Sequence, residues 1–202
     1  MWDSIFLWVI HHYIEIFGAL SGILYIFFSI RKSLLLWPIG IVTSAAYIIV
    51  FFNSTLYADM LLQVYYLLIS FYGWYYWIKS KGNNQQPGNQ IHIVAINFIE
   101  WIWTISATVL LTVLLYFPLH KYTNASNPFW DGFVSAGSII ATWMLARKIL
   151  EQWIFWIVVD GVSIGLFVYK KLYPTAILFI IYTILAVFGY LKWKKDLKSQ
   201  VN

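Results

Sequence analysis

Shifted by 116 positions, the chain lies over itself without a gap. Arg31-Lys32 meets Arg147-Lys148, Trp37 meets Trp153, Phe51 meets Phe167, and Leu56-Tyr57 meets Leu172-Tyr173. Tyr66 meets Tyr182, Gly73 meets Gly189, Trp77 meets Trp193, and Glu15 meets another acid, Asp131. Each copy holds three long apolar runs, so the fold one copy takes must also suit the other. The repeating unit reads as three membrane helices. Duplicated bundles whose halves rock about a central site are the architecture of many transporters.

Composition excludes a water-soluble alternative. Of 202 residues, 61% are hydrophobic and 10% charged, more apolar surface than a soluble domain of this size can bury in one core. The 12 Trp and 15 Tyr suit both membrane interfaces and aromatic ligand cages. The net charge of +5 follows from cations between apolar runs, as the positive-inside rule requires, and does not call for nucleic acid. The absence of cysteine excludes disulfides and thiolate metal sites. Residues 1–12 lack a signal peptide's basic start and read as an interfacial segment or an extension of the first helix.

Seven apolar runs, at 13–30, 33–53, 57–78, 93–117, 128–146, 153–169 and 173–191, each approach the ~20 residues that span a bilayer. Pro38, a turn inside the second run, is the exception to the placement of prolines near run ends. An outside N-terminus leaves Arg31, Lys32, Lys79, Lys81, Arg147, Lys148, Lys192, Lys194, Lys195 and Lys198 inside, and only Lys121, Lys170 and Lys171 outside. The polar segment 79–90 is then an inside loop, and 118–129 an outside one. Three is an odd number, so the unmatched fourth run inverts the chain and lets both copies run in the same direction. The expected fold is an all-α membrane protein of seven transmembrane helices, in one domain. Its layout is 3+1+3 (13–79, linking helix 93–117, 128–195), with parallel repeats resembling those of the SWEET proteins.

Trp153, Trp156 and Asp160 open the sixth run at i, i+3 and i+7, on one helical face. An acid near the bilayer centre is expensive and therefore a functional candidate, although one that hydrogen-bonds a neighbouring helix would look the same. Two indoles beside a carboxylate offer a flat cation stacking, cation–π attraction and a counter-charge; Trp153 alone also fits an interfacial anchor. In the third run Asp59, Gln63, Tyr66, Ser70 and Gly73 form a polar stripe. Its duplicate keeps Tyr182 and Gly189 but has Phe179 for Gln63 and Thr175 for Asp59, so an asymmetric ligand is expected. Asp59 reads as an entrance or capping residue. Ser44 is the counterpart of Asp160 and offers the same cavity a hydroxyl.

The fourth run adds Asn97 and Glu100, the latter either facing the cavity or pairing near the inner surface. Glu15 and Asp131 read as structural, and Arg147 with Glu151 as an i, i+4 surface ion pair. His11, His12, His92 and His120 show no metal-ligand spacing. No Walker loop, zincin helix, dinucleotide fingerprint or Ser/His/Asp arrangement occurs. Neither an enzyme nor a cofactor is expected.

Gln63-x-x-Tyr66 followed by Tyr72-Gly73-Trp74-x-x-Trp77 resembles the PnuC-type (Pnu) vitamin transporters. So do Glu151-x-Trp153-x-x-Trp156 followed by Asp160, Lys171-Leu172-Tyr173, and Gly189-Tyr190-x-x-Trp193. The resemblance implies a seven-helix, SWEET-like protein of the bacterial inner membrane, N-terminus outside and C-terminus cytoplasmic, and a homotrimer. It also implies uptake of nicotinamide riboside by facilitated diffusion, with a cytoplasmic kinase trapping the product by phosphorylation. Relatives carry thiamine or riboflavin. Riboside carriers follow the Trp pair closely with Asn or Asp; here Asp160 stands four after Trp156. Nicotinamide riboside is therefore expected first and thiamine second, held by Trp153, Trp156, Asp160, Gln63, Tyr66 and Tyr182. A proton-coupled carrier and a membrane sensor or enzyme are the other readings.

Overall fold

The structure, a computed structural model, describes residues 13–82, 92–123 and 126–201. The expectations for residues 1–12, including His11 and His12, lie outside that range. So does most of the 79–90 loop, whose first residues instead continue a helix to Gly82. The described residues form seven helices: α1 (Tyr13–Ile30), α2 (Leu36–Asn53), α3 (Tyr57–Gly82), α4 (Phe98–Tyr122), α5 (Pro128–Ala146), α6 (Gln152–Tyr169) and α7 (Tyr173–Val201). By length and apolarity α2, α4, α6 and α7 can cross a membrane, and α1 contains a shorter apolar helix, Ile16–Ile30. In α3 and α5, Tyr, Trp, Ser and Asp dilute the aliphatic residues.

Four helix ends share one device. Lys32, Thr55, Lys148 and Lys171 have left-handed φ values of 53°, 58°, 62° and 59°. At each, the N–H of the next residue reaches back to close the helix: Ser33 to Phe28 O, Leu56 to Phe51 O, Ile149 to Met144 O and Leu172 to Phe167 O, at 2.8–2.9 Å. The left-handed residue itself bonds the carbonyl three back (Lys32 to Ser29, Lys148 to Leu145). These are Schellman motifs built without glycine. The four positions form two pairs separated by the same 116 residues.

Pro38, Pro128 and Pro174 fall in first helical turns, where a missing N–H costs little. Because α2 starts at Leu36, Pro38 lies in its first turn rather than inside it, which removes the expected exception. Pro128 opens α5, whereas α4 runs through Pro118 to Tyr122 rather than stopping before it.

The expected fourth span begins five residues late. Asn97 Oδ1 accepts from the Glu100 N–H at 2.9 Å, and Glu100 Oε2 accepts from the Asn97 N–H at 2.8 Å, a capping box that fixes the start of α4 at Phe98. The preceding residues form an extended strap. Val94 donates to Lys148 O (3.1 Å) and accepts from Leu150 N (2.9 Å), and the Ile93 N–H donates to Gln200 Oε1 at 3.1 Å.

Six helices close a ring through the contacts α1–α2, α2–α3, α3–α5, α5–α6, α6–α7 and α7–α1, while α4 packs along α5. One end of the ring is filled by tryptophan. Trp37 meets Trp77 edge-on (5.4 Å, 89°), and Trp153 meets Trp193 in the same way (5.6 Å, 87°). Gly73 and Gly189 leave room for the first ring of each pair; a Cβ at Gly189 would stand 2.6 Å from Trp153. The outer rings of the pairs reach across the chain's two halves: Trp77 Nε1 donates to Ala146 O (3.1 Å) and Trp193 Nε1 to Ser29 O (3.2 Å). At the same end Lys32 Nζ pairs with Asp196 at 2.7 Å.

Candidate functional site

Above the tryptophan layer the ring interior turns polar and aromatic. Tyr66 of α3 faces Ser138 of α5. Tyr182 of α7 presses its hydroxyl toward Gly22 of α1, where any Cβ would collide with it, and donates to Ala19 O at 3.5 Å. Gly22 and Ser138 are themselves related by the 116-residue shift, so the two tyrosines occupy matched places on opposite sides of the ring. Tyr65 donates to Ile139 O at 2.7 Å. Tyr25 of α1 lies within electrostatic reach of Tyr65 and Tyr66.

Asp160 is buried, 4% exposed, and no hydrogen bond from the described residues reaches its carboxylate. Its charge acts on Tyr182, as does the Tyr47 phenol. Asp160 of α6, Tyr182 of α7 and Tyr47 of α2 are therefore neighbours; Ser44 of α2 is buried, and Tyr66 and Trp156 are half-buried against the tryptophan layer. Gln63 is half-buried, two residues before the tyrosine pair. Its counterpart, Phe179, packs its ring at a tilt against Phe167 (4.9 Å, 50°) and Tyr182 (5.4 Å, 57°).

Other expected site residues have different uses. Trp153 is 2% exposed and committed to Trp193 and Gly189. It is the packing twin of Trp37, and a ring covered in this way cannot sandwich a ligand. Asn97 and Glu100 are exposed and close the α4 terminus on each other, so neither side chain faces the ring interior. The Arg147–Glu151 pair does not form, because the left-handed turn at Lys148 breaks the helix between them. Arg147 instead donates to the Tyr72 hydroxyl (3.1 Å), and Glu151 Oε2 accepts from the strap's Ile96 N–H (3.2 Å). Burial pushes the Glu151 carboxyl up from its usual range, and that N–H holds it partly down. Asp131 is structural as expected, paired with Lys170 at 3.2 Å; Asp59 is exposed within reach of Asp131's charge. For Glu15 only the helical backbone is described.

The sequence reading missed Tyr25, Tyr65 and Ser138. A signal was present: Tyr25 replaces an alanine, Ala141, in the other copy, and Gly40 replaces Trp156.

Apolar helices around a polar, aromatic interior define a multi-pass membrane protein. The family described as the nicotinamide mononucleotide transporters matches residues 12–195, and the chain belongs to it. It is a family of transporters, not enzymes, and the PnuC-type resemblance read from the motifs is borne out. The nicotinamide riboside transporter PnuC of Escherichia coli is 23% identical over 90% of this chain and 84% of its own length. The riboflavin/roseoflavin transporter RibM of Streptomyces davaonensis is 23% identical over 89% and 83%. The crystal structure of the vitamin B3 transporter PnuC superposes with a TM-score of 0.77 at 23% identity, covering 98% of this chain and 87% of that one. The fold is therefore shared.

Proposed function

We propose that this protein is a uniporter that takes up a vitamin with a cationic aromatic ring, nicotinamide riboside first, by facilitated diffusion across a bacterial inner membrane. The reading is carried by a buried carboxylate, Asp160, one helical turn from Trp156 and unpaired among the described residues. A buried charge with no partner is costly, and a cationic ring seated against Trp156 would supply that partner. Tyr66 and Tyr182 on opposite sides of the ring, with Gln63 and Ser44, offer hydrogen bonds to hydroxyl or amide groups. The names of the E. coli and S. davaonensis relatives support a vitamin cargo.

The seven helices are read as spans in a 3+1+3, SWEET-like layout with the N-terminus outside, one half at 13–79, the linking helix at 93–117 and the other half at 128–195. The matched left-handed turns and tryptophan pairs support this layout. A homotrimer and a cytoplasmic kinase that phosphorylates the product complete the reading. Thiamine is the second candidate, since it also carries a cationic ring. Proton coupling through Asp160 would appear as accumulation driven by a pH gradient.

The test is calorimetric titration of the detergent-purified protein with nicotinamide riboside and thiamine in parallel. Binding of the riboside alone supports the first reading, and thiamine alone replaces the vitamin while keeping the mechanism; silence from both overturns the cationic-ring site. Asp160→Asn should weaken binding of the cation about tenfold or more, the loss of one desolvated charge partner. Unchanged affinity in that variant would leave Asp160 with a purely structural role.

A further inference from the structure

Inside the ring, positions that agree under the 116-residue shift carry packing: Trp37 and Trp153, Gly73 and Gly189, Trp77 and Trp193. Positions that disagree are where the halves can recognise the two ends of one asymmetric ligand. The largest disagreement in bulk falls two helical turns or less from the tryptophan layer. The first half has Tyr25 on α1 and Gly40 on α2; the second has Ala141 on α5 and Trp156 on α6. The halves have exchanged a large residue between their first and second helices.

In the first half the exchange is a direct contact. A Cβ at Gly40 would lie 3.0 Å from Tyr25 Cε2 and 2.9 Å from Ser70 Oγ, so the Tyr25 ring lies over the bare backbone of α2. Ser70 is matched by Ala186, which makes this corner more polar than its twin. Tyr25 is deep in the bundle beside Tyr65 and Tyr66, yet it keeps accessible surface.

We infer that Tyr25, seated on Gly40, is a specificity-determining residue that fills in the first half the volume Trp156 fills in the second, and so excludes a substrate with a large fused ring system. The inference rests on the reading of Trp156 as a wall of the substrate site. Removing the ring should open a second slot bounded by Gly40, wide enough for the flat multi-ring isoalloxazine of riboflavin.

The experiment titrates wild type, Tyr25→Ala, Tyr25→Leu and Tyr25→Phe with nicotinamide riboside, thiamine and riboflavin, with melting temperature recorded for each variant. Tyr25→Ala should gain about tenfold in riboflavin affinity and lose about tenfold for the wild-type substrate, one aromatic contact's worth in each direction. Tyr25→Leu should move the same way by less, which keeps the test usable if the alanine variant fails to fold. Tyr25→Phe should keep the wild-type preference. An unchanged ratio of the two affinities in folded Tyr25→Ala or Tyr25→Leu overturns the inference while leaving the transport reading intact. A wild-type protein that prefers riboflavin, or binds none of the three, overturns both.

Discussion

Trp153 and Trp156 stand three residues apart on α6, the first closed in by Trp193 and Gly189 and the second half-buried toward the interior. Trp153→Ala should therefore act on stability, by about 3–5 kcal/mol for a large ring removed from a packed core, read as a fall in melting temperature. Trp156→Ala should abolish ligand binding with a much smaller thermal effect. The opposite pattern would exchange the two assignments. Helical spacing put both indoles on one side of α6, and that much was legible. Which of them has a glycine and a second tryptophan against it depends on α7, whose contact with α6 no local spacing reveals.

Helix ends carry the next scale. A β-branched residue in the left-handed region, as at Thr55, costs about 1–2 kcal/mol that glycine avoids. Thr55→Gly should raise the melting temperature, less whatever the glycine adds to unfolded-chain entropy; a fall would mean that the Thr55 hydroxyl bond to Ser54 O (2.7 Å) matters more than the backbone. Lys148, at another such turn, is 2% exposed with its Nζ unpaired among the described residues and 5.6 Å from the Trp77 ring. Burial lowers its pKa to about 8. The unfolded chain, with a lysine near its ordinary value, then holds more protons than the folded one between about pH 8 and 10.4, so stability rises with pH across that window. Lys148→Met should flatten that rise and raise the melting temperature at pH 7. A pH profile identical to wild type would place the ammonium in water. The apolar run announced α4, but its start depended on the Asn97–Glu100 box and on hydrogen bonds from the strap to the α5–α6 turn, which the run itself does not encode.

At the scale of the molecule, the two halves bind each other through equivalent tryptophans, Trp77 to Ala146 and Trp193 to Ser29, and through one unmatched ion pair, Lys32 to Asp196. Gly73→Ala and Gly189→Ala should destabilise the protein to similar degrees, since each places a methyl group into the tryptophan its glycine faces. Melting curves of the two variants in one detergent decide it, and a mild effect at one site with collapse at the other would contradict equivalent packing. The sequence by itself determined the class of fold, because apolar runs of that length have few homes other than a bilayer. It also determined the internal duplication, because identical residue types recur at one fixed offset, and it picked out Asp160 as a buried acid. Tertiary structure decided which residues on a helical face meet a neighbouring helix and which meet the interior. That choice depends on ring closure between helices far apart in the chain, and it assigned Trp153 to the core, Glu100 to a helix cap, and Tyr25 to a seat on Gly40.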